Sequence, residues 1–404
     1  MAYTHILPVL SQEPVFQRVD PPGVNLKRKR SQSRPSNHLL DMAYNHPPRV
    51  GFDAAKHLNY RPPKKVWTME DIGLANRGVS PNAVSEPFQL FTEGAVKQMR
   101  AEVLSKAVLE NCSYSSNLAH HQLRGMVPEY APFVYDTWRS PEVLSIVSKI
   151  AGIELVPQMD FEIAHINISI STEEDKTVAA QVIQEKEQRD ADEGVSGCPW
   201  EAEDNEAPIV DWHTDSYPFV CVTMLSDCSN MIGGETALRT GSGDIMKVRG
   251  PGKGHAVVLQ GRYIEHQAMK VIGVRERISM VTSFRPKSVF AKDDTVLTTV
   301  RPVSDLDELY YQYTEYRLEM LEERIRAHLK EIRDRKRARR GFNTASTKGF
   351  IAEQQSFLAS MMKELVDDDK VIKGFTDCDS HLLSDDLKAR ARKKTRGWSE
   401  ALSS

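Results

Sequence analysis

A run of short apolar segments between positions 209 and 287 constrains this chain more than any other feature. IVDWHTD, FVCVTML, ETALR, IMKV, HAVVL, YIEHQAMKV and RISMVTSF follow one another closely, separated by Gly233-Gly234, Gly241, Gly243, Gly250-Pro251-Gly252 and Gly273. Segments this short and rich in β-branched residues read as strands. The gaps between them are too small for the crossover helices that parallel strands require. The expectation is an antiparallel sandwich or barrel, mainly β, with helices confined to its flanks.

The flanks differ in kind. Residues 1–65 are rich in Pro, Asn, Ser and basic residues with little apolar periodicity, and read as a loose N-terminal arm. A globular domain is expected over 66–300 and a helical extension over 301–404. Phe88 to Phe91 reads as a short strand, and Glu93 to Leu109 has the helical spacing of Val96, Met99, Val103 and Val108. Pro141 to Ala151 reads as a second helix stopped by Gly152, and Met159 to Ile170 as a strand. Residues 171–207 interrupt the domain with an acidic, weakly patterned insertion, either a solvated excursion or a lid. Beyond Pro302, Leu318, Leu321, Ile325, Leu329 and Ile332 form an apolar stripe on a helix running from acidic to basic ends, and a further helix covers about Phe350 to Val366. Such a stripe needs cover, from its own domain or from a second copy in a homodimer.

Composition excludes several classes. The formal charge of −3, from 53 basic and 56 acidic residues, gives no reason to expect nucleic acid or an anionic membrane as partner. No apolar run is long enough to cross a bilayer, and MAYTHILPVL lacks the form of a secretory signal. The five cysteines are odd in number and never spaced as CxxC, which disfavours a disulfide framework or structural zinc. A mean hydropathy of −0.45 fits a globular centre diluted by polar segments. A cytoplasmic protein is the default, with Lys27-Arg28-Lys29-Arg30 readable as a nuclear-import signal or as a solvated charge run.

The chemistry-bearing residues lie within the strand run. His213 and Asp215 are two apart, so on one strand they share a face, and imidazole with carboxylate suits Fe(II). His266 is the candidate third ligand. A turn at Gly273 would pair the strands around His266 and Arg277 as an antiparallel hairpin, placing Ser279 about opposite His266 and Arg277 one same-face step from it. A guanidinium there matches the far carboxylate of a dicarboxylic keto acid, and Arg275 competes for that role by parity. Tyr217 and Phe219 share the parity of the HxD pair, and His165 and Asn167 share a face of their strand. These four are candidates for the substrate pocket, against core packing for the first two and a solvent-facing edge for the others. His255 reads as structural and His120-His121 as solvated.

His213-Thr214-Asp215, then His266, then Arg277-Ile278-Ser279 eleven positions on, resembles the Fe(II)/2-oxoglutarate-dependent dioxygenases. The likeness extends to Gly233-Gly234-Glu235, to Val258-Leu259-Gln260-Gly261 and to the helical lead-in, roughly half the chain. It implies a double-stranded β-helix, or jelly roll, flanked by N-terminal helices and long C-terminal helices. The cofactors implied are Fe(II) on His213, Asp215 and His266, 2-oxoglutarate anchored by Arg277 and Ser279, and O2. The implied activity is oxidation of an unactivated C–H bond by hydroxylation, desaturation or ring closure, with release of succinate and CO2. The overall style resembles fungal oxygenases of small-molecule secondary metabolism, which points to a small-molecule substrate. Three other readings stay open: a nuclear oxygenase acting on protein or nucleic acid, a cupin-like metalloprotein of another reaction, and a non-catalytic β-sandwich binding module.

Overall fold

The computed structural model describes residues 43–376 except 46, 118, 120, 171–176, 178–209, 229, 230, 251, 270, 273 and 275. The Lys27–Arg30 run, the arm before position 43, His120, the acidic insertion apart from Thr177, Gly273 and Arg275 therefore lie outside the described residues.

In chain order the lead-in holds α1 (Ala54–His57), β1 (Val66–Thr68), β2 (Asn82–Ser85), β3 (Phe88–Gln89), α2 (Glu93–Val103), α3 (Lys106–Asn111), β4 (Ser113–Tyr114), β5 (His121–Leu123), α4 (Pro132–Arg139), α5 (Pro141–Ala151) and β6 (Leu155–Pro157). The strand run follows as β7 (His165–Ile170), β8 (Val210–His213), β9 (Phe219–Met224), β10 (Ile232–Gly233), β11 (Thr236–Arg239), β12 (Ile245–Val248), β13 (His255–Leu259), β14 (His266–Ala268), β15 (Val271–Ile272) and β16 (Glu276–Pro286). Helices α6 (Leu306–Arg337) and α7 (Thr344–Glu364) come last.

The strands pair antiparallel in two principal sheets. Among the described residues the larger runs β1-β2-β13-β9-β16-β7-β5-β4, with β3 on β13 and β6 on β16; the smaller runs β12-β11-β14-β8, and β10 pairs with β15. From β7 to β16 the chain passes back and forth between the two, so neighbours in sequence rarely share a sheet. A mainly β, antiparallel core with helices on its flanks is what the segment lengths predicted.

Period-two alternation gives β16 its two jobs. Ile278, Met280 and Phe284 turn outward into a buried cluster with Val96, Met99 and Val103 of α2, Phe133 and Trp138 of α4, and Val143 and Val147 of α5. Trp138 packs edge-on to Phe91 and Phe284, at 5.8 and 5.9 Å between ring centres. Arg277, Ser279, Val281 and Ser283 turn the other way and line a cavity.

Several expectations need correction. The helix expected over Glu93–Leu109 is two helices. Ser105 adopts extended angles and caps α3, its Oγ accepting the Val108 N–H at 3.3 Å, while the Tyr44 backbone bonds to Leu104 and Lys106 in the gap. The strand expected from Met159 begins only at His165, because a 3-10 turn over Asp160–Glu162 and a left-handed Ala164 (φ 63°) precede it. β14 and β16 are not a hairpin: β14 lies between β11 and β8 in the smaller sheet, and β16 between β9 and β7 in the larger. The chain crosses from one sheet to the other between Ala268 and Glu276.

Two C-terminal helices form as the periodicity predicts, but α7 begins at Thr344, six residues before the expected Phe350, where the Asn343 side chain accepts from Ser346 N. Asp305 caps α6, its carboxylate accepting from the Asp307 and Glu308 backbone. The face of α6 that packs is a different one: Leu309, Tyr313, Tyr316 and Met320 join Tyr217, Phe161 and α7's Phe357 and Met361. Leu318, Ile325 and Leu329 of the stripe are exposed. Arg317, fully buried, ties the unit together by an ion pair to Asp293 at 2.8 Å and bonds to Phe357 O and Ser360 Oγ of α7. No described helix is long and apolar enough to cross a membrane. Arg317→Ala strands the Asp293 carboxylate away from water, and urea unfolding is expected to show a loss of about 3–5 kcal/mol.

Candidate metal centre

The cavity lies between the two sheets. The larger lines it with Gln122, His165, Asn167, Val220, Val222, Leu259, Arg277, Ser279, Val281 and Ser283, and the smaller with Val210, His213, Thr236, His266 and Ala268. His213 ends β8 opposite His266, which begins β14. Their rings lie 4.3 Å apart, and Asp215 Oδ1 sits 3.5 Å from the Nε2 of each. The three donor atoms all lie within 4.8 Å of one another. Donors about 2.1 Å from one ion and at right angles to each other lie about 3 Å apart, so the cluster is close to what a single ion requires. Strand parity led to the His213–Asp215 pair, although β8 stops at His213 and Asp215 reaches the site from the bend that follows.

Two of the donors are set by their neighbours. His266 Nδ1–H donates to the Ile264 carbonyl at 2.9 Å, which fixes the ring with its Nε2 facing Asp215. Burial opposes ionisation of Asp215, but the His266 and His213 imidazoles outweigh it and hold the carboxyl well below its ordinary pKa. Its Oδ1 is the oxygen that faces both imidazole Nε2 atoms, while Oδ2, buried without a hydrogen-bond partner, lies on the Gly261 side.

The bend carrying Asp215 is clamped to the β13–β14 turn. The Asp215 N–H donates to Gly261 O at 3.0 Å. Gln260 anchors that turn by accepting from Val79 N at 2.7 Å and donating to Asn82 O at 2.8 Å. A Cβ on Gly261 would collide with Asp215 Oδ2 and Cγ. The GG turn has a similar steric basis, Gly234 having φ 78° and no room for a Cβ beside Val271 and Met231.

Arg277 faces the same cavity from the opposite sheet and is buried. Its Nη1 donates to Ser279 Oγ at 3.4 Å, while its Nε has no partner. No described carboxylate pairs with it, and burial pulls its pKa down, yet a guanidinium stays protonated in proteins. A buried, uncompensated fork of donors fits a ligand carboxylate. The residues present thus fit both a divalent metal and an anionic chelator.

The other candidates divide. His165, Asn167 and Tyr217 line the cavity, whereas Phe219 is packed in the outer core with Trp138 and Phe284, because the bend through Pro218 breaks the assumed alternation. His255 stands at the start of β13, its Nδ1 3.1 Å from Lys253 O, and His121 lies on β5. The sequence reading missed Arg124 and Glu162. They form a buried ion pair in the cavity wall, and Arg124 Nη1 lies 3.0 Å from His165 Nδ1. No motif marks two charges 38 positions apart. Burial, and then the Arg124 charge, hold His165 well below its ordinary pKa, and burial with the neighbouring Glu162 pushes Tyr217 well up.

No protein-family model and no curated protein matches this chain. Solved structures similar to it include 2OG-Fe(II) oxygenase family members. An oxidoreductase of that family from Burkholderia pseudomallei is 14% identical over 43% of this chain and 65% of its own, with a TM-score of 0.27. A Pseudomonas putida prolyl-4-hydroxylase is 13% identical over 48% of this chain and 88% of its own, with a TM-score of 0.28. The non-heme alpha ketoglutarate dependent epimerase SnoN from nogalamycin biosynthesis is 12% identical over 48% and 74%, with a TM-score of 0.31. Likenesses of this size carry no argument about what the chain does; the cavity residues carry it. Gly261→Ala, which changes no donor, is expected to weaken Mn(II) binding about 10- to 100-fold in calorimetric titration by displacing Asp215.

Proposed function

We propose that this chain is an Fe(II)- and 2-oxoglutarate-dependent oxygenase acting on a small molecule. The observation that carries this reading is the meeting, in one cavity, of the His213–Asp215–His266 cluster on one wall with the buried, uncompensated Arg277 on the other. A metal site alone fits many chemistries. A metal site facing a carboxylate-seeking guanidinium fits a chelating dicarboxylic acid, and 2-oxoglutarate has a keto acid at one end for the metal and a carboxylate at the other for Arg277. The alternation of β7, β9, β13 and β16 with β8, β11, β12 and β14 supports a double-stranded β-helix as the architecture.

In this reading His213, Asp215 and His266 hold the iron, whose chemistry when bound is oxygen activation for attack on an unactivated C–H bond, with decarboxylation of 2-oxoglutarate to succinate. The protein's own residues bind and orient. Ile264 O fixes the tautomer of His266, the Gly261 clamp fixes Asp215, and Arg277 with Ser279 holds the far carboxylate. Val222, Leu259 and Val281 make the walls apolar, which keeps water from competing for those polar groups.

The test is optical. Fe(II) and 2-oxoglutarate added without oxygen are expected to produce a weak visible charge-transfer band, absent in His213→Ala. Arg277→Leu is expected to keep the band but raise the half-saturating 2-oxoglutarate concentration by at least about 30-fold, from about 2 kcal/mol for a buried charge pair. Wild-type protein that gives no band at any concentration overturns the proposal.

A further inference from the structure

The cavity has a second polar pole, chemically unlike the one at Arg277. Along β16, Arg277 stands opposite Ser169 of β7, and Val281 opposite His165. Four residues of strand separate the two positions by about 13 Å. At the His165 end the wall is built from Arg124, Glu162 and Tyr217 as well.

These side chains fix one another. The Arg124 and Glu162 side chains are 1% and 2% exposed and paired, so their charges cancel out of reach of water. Arg124 also directs Nη1 at His165 Nδ1, 3.0 Å away. A guanidinium has hydrogens to give and no lone pair to receive one, so Nδ1 is the acceptor, the ring is neutral, and its proton sits on Nε2. That Nε2 is buried and has no hydrogen-bond partner among the described residues. The Tyr217 hydroxyl, beside Glu162, makes no well-aligned bond either. A buried N–H left without an acceptor is costly enough to need one from a ligand.

Resting on the oxygenase reading, we propose that His165 Nε2–H donates to an oxygen of the primary substrate, and that this substrate is a small molecule with a neutral carbonyl or amide. The charge balance selects neutrality. Arg277 is an uncompensated cation and takes a carboxylate, whereas the charge of Arg124 is already answered by Glu162, whose carboxylate repels a second anion. Arg124 is a positioning residue that sets the tautomer, and His165 is the contact.

The experiment uses full-length protein carrying ¹⁵N-labelled histidine, loaded with diamagnetic Zn(II) and 2-oxoglutarate, and two shape-matched probes, benzamide and benzoate. In the free protein the His165 ring is expected to carry its proton on Nε2. Benzamide is expected to shift that resonance in a saturable way. Its affinity is expected to fall at least about fivefold in His165→Leu, from about 1 kcal/mol for one hydrogen bond. It is expected to be largely retained in His165→Gln, whose amide N–H extends to the Nε2 position. Benzoate is expected to bind no tighter in wild type than in His165→Leu. A proton on Nδ1, benzamide binding that ignores His165 or fails up to its solubility limit, or preferential benzoate binding through His165 each overturns the inference. The anaerobic visible band recorded on the same His165→Leu protein confirms that its fold and metal site are intact. Wild type without a band fails the oxygenase reading, whereas a band without His165-dependent benzamide binding fails this inference alone.

Discussion

Removing a guanidinium from water costs several kcal/mol even after the protein relaxes around it, and Arg277 is buried with a serine hydroxyl as its described side-chain partner. The fold bears that cost by placing the residue on its most constrained strand. β16 is flanked on both sides, by β7 and β9, and an ion pair between Arg100 and Glu276 at 2.7 Å pins the strand at its first residue. A carboxylate brought by a ligand is the simplest way to recover the lost solvation.

The opposite wall is held by different means. Asp215 sits in a bend with no strand of its own, and its position comes from Gly261 behind it and from Gln260, which ties that turn to the lead-in segment through Val79 and Asn82. Two residues further on, Tyr217 is backed by Leu309, Tyr313 and Tyr316 of α6. The C-terminal helices are in turn fastened by Glu364, which accepts from Leu297 N at 2.7 Å and from Arg301 at 2.9 Å. The helical extension is thus part of what keeps the segment from Asp215 to Tyr217 in place.

Much of this was legible in the residues. The antiparallel character and the His213–Asp215 pair of the candidate cluster follow from segment length, glycine punctuation and i, i+2 spacing, whereas the short strands β1, β2, β10 and β15 were not read. The spatial relation of His266 to Arg277 was not legible in the same way. A glycine turn between two short strands looks alike whether it closes a hairpin or carries the chain to another sheet, and periodicity does not say which sheet a strand joins. Both routes bring Arg277 to the cavity, so a wrong intermediate step still placed it there. Phe219 was misplaced because parity counting fails at the Pro218 bend. The apolar stripe of α6 was visible, but not that tyrosines and Arg317 would form the packed face instead. Arg124 and Glu162 carried no signal, since a buried ion pair leaves no spacing rule in sequence.

Among the described residues β16 is also the last strand made, and it inserts between two strands made earlier. Until it emerges from the ribosome, β7 and β9 have no neighbour on their inner sides, and both present open backbone edges of six residues. A nascent chain halted before position 276 would already contain His213, Asp215 and His266, yet its larger sheet would be split through the middle. Closing that gap demands contacts between distant parts of the chain, a slow step that leaves sticky edges waiting. Production of this protein is therefore expected to be limited by chaperone supply during synthesis more than by the stability of the finished fold.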